Sequence, residues 1–230
     1  MKDGLIDKIN SHGHWRVNIR PTRDINETMS FQKSREVVER SSVSIRGWNY
    51  PHVSRRSDDY GGIANGENFV ESWTDWDGFI EFWRMYRSSQ FLSYFCLRSD
   101  TGAMGQELSG ARELSILDAI YSITEFLEFA HRVHGEGLYP DGASISVKLK
   151  NNKGRCLSVG PNRMPFYDPK MSNADEISIE QDLSRDILND GYKEIAVKIL
   201  LELFDHFEWN PDPNQIRTDQ ERFYNRDFRY

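Results

Sequence analysis

Cysteine is nearly absent from this chain. There are two in 230 residues, Cys96 in FLSYFCLR and Cys156 in GRCLSV. Two isolated thiols make neither a CxxC pair nor a zinc pattern, and their apolar, strand-like surroundings read as buried free thiols of a reducing compartment. Long hydrophobic runs are missing too. No stretch approaches the roughly 18 to 20 apolar residues of a membrane span, and MKDGLIDKIN has no apolar centre of a secretion signal. The expectation is a soluble, cytoplasmic protein without membrane contact. The catalytic signatures are equally scarce. There is no GxSxG elbow, no Walker A motif, no GxGxxG after a strand and no kinase set. TGAMGQELSG scatters glycines without a lysine and makes no phosphate loop. Ser44 and Ser72 have no histidine positioned to activate them. No cofactor is expected.

Aromatic residues, by contrast, make up 13% of the chain and occur along its whole length. A disordered chain is poor in them, and 230 residues suffice for a real core without staples. The net charge is −7 with a pI near 5.4, whereas a dedicated nucleic-acid binder is usually basic. The charge is uneven: residues 1–64 carry 11 Lys and Arg against 8 Asp and Glu, and the remaining 166 carry 18 against 28. The basic first part keeps local nucleic-acid binding open.

Hydrophobic periodicity lays out the elements. HWRVNIRP (14–21) alternates as a half-buried strand, 30–40 reads as a helix, and 42–48 alternates again through Val43 and Ile45. Pro51 to Gly66 reads as a loop and ENFVESWTDW (67–76) as a strand. In DGFIEFWRMY, Phe79, Phe82, Trp83 and Tyr86 fall on one helical face with Asp77 as N-cap. QFLSYFCLR (90–98) is apolar on both sides, as in a central strand. Gly-rich 99–113 is a candidate hinge. A long helix then ends near Gly135. ASISVKLKNNKGRCLSV reads as a β-hairpin, Ile177 and Ile179 mark another strand, and GYKEIAVKILLELFDHF is the last strong helix. The tail, 210–230, is partly ordered through Phe223, Tyr224 and Phe228. This order predicts one α+β domain over 1–230, with a mostly antiparallel sheet and helices packed on one face.

The most conspicuous chemistry lies in VSIRGWNYPHVSRRSDDYGG (43–62). If this segment is extended, Arg46, Trp48, Tyr50 and His52 project from one face, able to stack a ring or clamp an anion, with Arg55 and Arg56 beside them. Alternatively, Trp48 and Tyr50 cap the core and Arg46 packs along them. The aromatics Trp73, Trp76, Trp83 and Tyr86 likewise read as core or as a contact surface. Glu128, His131 and His134 on the long helix are the weak metal candidate, since HRVH is not HExxH. A nuclease D…ExK pattern fails, because Lys148 has Ser146 where the acid belongs and Glu180, Gln181 and Asp182 break the spacing.

HWRVNIRP, VSIRGWNYPH, ESWTDWDGFIEFWRMYRSSQF and LDAIYSITEFLEFAHRV together resemble a bacterial domain of uncharacterised activity. In longer chains that domain follows a Schlafen-type domain assigned to DNA binding. The resemblance runs over nearly the whole sequence, including SVKLKNNKGRCLSV and LFDHFEWNP. It implies one cytoplasmic bacterial domain and brings no catalytic residues; this chain has no room for the amino-terminal DNA-binding part. The leading expectation is a non-enzymatic accessory module that binds a protein partner through the face around Arg46, Trp48 and Tyr50. Nucleic-acid binding or regulation is the alternative, and a metal-dependent hydrolase or nuclease using Glu128, His131 and His134 is the third.

Overall fold

The computed structural model describes residues 1–23, 28–102, 112–160 and 163–228. Strand β1 (His14–Pro21) follows from its alternation: Trp15, Val17 and Ile19 are buried, while Arg16, Asn18 and Arg20 alternate with them toward the other face. It lies inside a seven-stranded antiparallel sheet with β2 (Gly61–Asn65), β3 (Phe69–Trp76), β4 (Phe79–Tyr86), β5 (Phe91–Cys96), β7 (Ala143–Lys150) and β9 (Ile177–Leu183). The spatial order is β2-β3-β4-β5-β1-β7-β9. Two short strands, β6 (Glu113–Ser115) and β8 (Cys156–Ser158), form a separate parallel pair.

Helices α2 (Phe31–Ser41), α4 (Ile116–Gly135), α5 (Tyr192–Asp205) and α6 (Pro213–Tyr224) share one apolar core with a single face of the sheet. Ser30 caps α2 by accepting from Lys33 N, and Ser115 does the same for α4 through Asp118 N. Helix α4 is buried nearly all round. Its Phe126 meets the rings of Trp15, Tyr50 and Phe95, and its Phe129 meets Phe91. The fold is therefore α+β, with one addition to the expected single helical layer. Helix α1 (Leu5–Asn10) sits on the opposite face, where Leu5 and Ile9 cover Ile80, Phe82 and Cys96.

The helix expected over 77–86 is instead strand β4. Asp77 and Gly78 take φ values of 49° and 76°, forming a two-residue turn that returns β3 onto β4. The apolar spacing that mimics a helix arises because β4 is covered on both sides. Trp83 and Met85 face the main core, and Ile80 and Phe82 face α1. The strand expected over 42–48 is reduced to an isolated bridge between Val43 and Tyr50, and part of the expected 51–66 loop becomes β2. The hairpin over 143–159 does not form. The turn at Asn151 to Gly154 is present, but β7 pairs with β1 and β9 while β8 pairs with β6. Of the proposed hinge, 103–111 lies outside the described residues. Its flanks are a helical turn, α3 (Arg98–Thr101), and β6. The tail contains α6, capped by Asp212 with Pro213 in its first turn, and Phe223 is fully buried. Cys96 is buried and free; Cys156, also free, is only half-buried.

The short parallel pair is fastened by an internal ion pair. Arg155 has no exposed side-chain surface and donates to both oxygens of Asp100 at 2.7 Å, and to Glu113 O at 2.7 Å. The Gly13 amide donates to the same carboxylate at 2.7 Å. A Cβ on Gly13 would fall 2.1 Å from Arg155 Nη2, so no larger residue fits beside this guanidinium.

Candidate functional site

The 43–62 segment is a loop rather than an extended face. Val43 and Tyr50 exchange backbone hydrogen bonds of 2.7 and 2.9 Å, which pinch off residues 44–49. The four alternating residues do not share one face: Tyr50 and Arg46 leave it, and Trp48 and His52 stack on each other. Tyr50 turns into the core, 5% exposed, with its hydroxyl 2.8 Å from Ser93 Oγ. Arg46 turns to α4: it donates to Glu125 Oε2 at 2.7 Å and Oε1 at 3.2 Å, to Asp118 at 3.1 Å and to Ser122 at 3.0 Å. Trp48 lies between the rings of Phe79 and His52, with centroids 3.7 and 4.1 Å away, and donates Nε1–H to Glu81 at 2.7 Å. The backbone under His52 is held in turn, because Trp83 Nε1 donates to His52 O at 2.7 Å.

Further along, Arg55 is exposed and, among the described residues, makes no ion pair. Arg56 pairs with Asp58 at 2.7 Å and lies 5.4 and 5.9 Å from the ring centroids of Tyr60 and Trp76. Both of those rings are exposed large apolar surfaces, Trp76 at 45%. Trp73 and Trp83 are instead packed against the two sides of the sheet, and Tyr86 meets Phe69.

Trp48 separates two hollows. The inner one, about 30 Å³, is lined by Arg46, Tyr50, Phe79, Glu81, Arg98 and Glu125. It has room for a water molecule and not for a substrate. The outer one is a groove of about 650 Å³ lined by Arg35, Glu39, Trp48, His52, Arg55, Arg56 and Trp76, among others. Burial raises the Glu81 carboxyl to about 7, against the Trp48 hydrogen bond and Arg98. Burial also pushes Glu125 up, opposed by Arg46, and pushes the His52 imidazole down, helped by Arg55. The lowered imidazole pKa favours the neutral form of His52 against Trp48.

The weak metal candidate does not converge. Glu128 accepts from Arg132 at 2.8 Å, Tyr192 at 2.8 Å and Tyr224 at 3.1 Å. His131 bonds Leu188 O at 2.7 Å and stacks on Tyr192, while His134 points to Leu138 O and Tyr139 O. Among the described residues no three His, Cys, Asp or Glu side chains are placed to hold a metal ion.

Sequence reasoning missed Glu81, Arg98, Asp118 and Glu125. One signal was there to find. Asp118, Ser122 and Glu125 stand at i, i+4 and i+7 of a helix otherwise buried in apolar side chains, and such a polar row requires a cationic partner. Glu81 gives no such signal, because the apolar spacing of Phe79, Phe82, Trp83 and Tyr86 around it mimics a helix in a strand covered on both faces.

Among the described residues no helix is long and apolar enough to cross a membrane. Compared with models of known protein families, with curated proteins and with solved structures, the chain matches none.

Proposed function

We propose that this protein is a non-enzymatic interaction module, and that its outer groove receives an acidic segment of a partner polypeptide. The observation that carries the reading is Trp48, a ring fixed on both faces and at its N–H, which forms one wall of a 650 Å³ groove. A ring already immobilised loses little freedom on binding. Exposed Trp76 and the arginines around it supply the residue types that dominate binding energy at interfaces. In the lining Arg35 is paired with Glu39 at 2.8 Å and Arg56 with Asp58 at 2.7 Å, while Arg55 makes no ion pair among the described residues, so one unbalanced positive charge is left to favour carboxylates. The buried carboxylates Glu81 and Glu125 lie behind Trp48, away from any partner in the groove. They hold the loop through Trp48 and Arg46.

The test is titration with twelve-residue peptides that differ only in charge, each containing one aromatic residue. Acidic peptides should bind and basic ones should not, and Arg55→Glu together with Trp76→Ala should abolish binding while the fold survives. Equal affinity for both peptide charges, or binding indifferent to the double substitution, would remove this reading.

A further inference from the structure

The half of the sheet that α1 leaves uncovered has a different chemistry. Along β1 and β7 the residues facing away from the core are Arg16, Asn18 and Arg20 on one strand and Ser144, Ser146 and Lys148 on the other. They line a hollow of about 140 Å³, closed on one side by Glu180 of β9. A polar outer face is normal for an antiparallel sheet, but three features set this one apart.

Arg16 and Lys148 are direct cross-strand partners, and like charges in that register repel. Lys148 is partly offset by Glu176 at 2.7 Å, which Lys150 shares at 3.1 Å. Arg16 has no such relief. Among the described residues it makes no ion pair, its guanidinium rests 5.6 Å from the Tyr94 ring centroid, and its Nε is buried without a hydrogen-bond acceptor. The rest of the lining is rich in donors. Gln90 Nε2 donates to Asn18 Oδ1 at 2.7 Å, which leaves the Asn18 amide N–H groups available. Arg20, Ser144 and Ser146 carry no side-chain bond to another described residue.

We propose that this hollow binds a tetrahedral oxyanion, the phosphate group of a small phosphorylated ligand. Arg16 and Lys148 hold it from adjacent strands, with Arg20, Asn18 and the two serines around it. The arginine fork and strand-borne donors suit phosphate. The volume admits one phosphoryl group and not a stacked base, because both faces of the neighbouring Tyr94 ring are already taken, by Phe82 and by His14 with Arg16.

Calorimetric titration of the full chain with inorganic phosphate, pyrophosphate and an eight-residue oligothymidylate is the experiment. Phosphate or pyrophosphate should bind, more weakly as salt rises. Arg16→Gln should weaken binding at least tenfold, and Glu180→Gln, an exposed change without folding risk, should strengthen it at least threefold. Arg55→Glu, in the peptide groove, should leave it unchanged, so the two sites fail or succeed separately. The inference is overturned by absence of binding at millimolar phosphate and pyrophosphate, by binding that ignores both Arg16→Gln and Glu180→Gln, or by binding of the oligonucleotide alone.

Discussion

The indole N–H of Trp48 meets the buried carboxylate of Glu81 at 2.7 Å, joining a wall of the groove to a group that titrates near neutrality. Between its ordinary value of 4.5 and about 7, Glu81 is protonated in the folded chain and ionised in the unfolded one. The folded state then binds more protons, so this group's contribution to stability falls as pH rises through that window and is constant below it. The shift corresponds to about 3 kcal/mol. Urea unfolding between pH 5 and 8 should show the parent losing stability relative to Glu81→Gln by an amount of that order. A Glu81→Gln variant with the parent's pH profile would refute the assignment.

Arg155 and Asp100 should behave as one unit. Asp100→Asn or Arg155→Met alone leaves an unpaired charge beside Gly13 and should cost about 3–5 kcal/mol. The double variant should lose less than the sum of the two. Denaturant titration of the four proteins gives the coupling, and additive losses would show that the two charges do not depend on each other.

Tyr50 and Trp76 divide core from surface. Tyr50→Ala empties a packed site between Phe95, Phe126 and Phe129 and should cost about 3–5 kcal/mol. Trp76→Ala should change stability by less than about 1 kcal/mol and act on peptide binding instead. Equal destabilisation by the two, measured by chemical unfolding, would place Trp76 in the core.

Gly78 holds the turn between β3 and β4 at φ 76°. Gly78→Ala should destabilise by about 1–2 kcal/mol, seen as a lower melting temperature with unchanged peptide affinity. An unchanged melting temperature would mean that the turn does not hold this conformation.

The parts legible in the sequence were those with a single environment. β1 faces a core on one side, and its alternation located it; α2 has a cap and an apolar stripe; α4 has length. The misreading of 77–86 has a physical cause. A strand covered on both faces loses its alternation, and β4 has α1 on one side and the main core on the other. The Asp-Gly pair between two aromatic runs was the better guide. The site was half legible. Trp48 and Arg46 were singled out, but the loop's bridge between Val43 and Tyr50 rests on partners far along the chain, Ser93 for Tyr50 and α4 for Arg46. Local pattern cannot show such partners. The sheet-face hollow is not legible locally, because its β1 and β7 members stand 124 or more residues apart on strands whose pairing only the fold reveals, as Arg16 opposite Lys148 and Arg20 opposite Ser144 illustrate.

The position of β1 carries a consequence for how the molecule is assembled. Strands β2 to β5 meander, each beside its neighbour in the chain, and can zip as they are made. The earliest strand cannot join so simply. It fits between β5 and β7, and its second neighbour begins at Ala143. During synthesis β1 must wait, with one edge unsatisfied, until more than half of the chain has followed it. Long-range closure of this kind slows folding, so interrupted synthesis before residue 150 would leave an open, adhesive edge in the middle of what should be a continuous sheet.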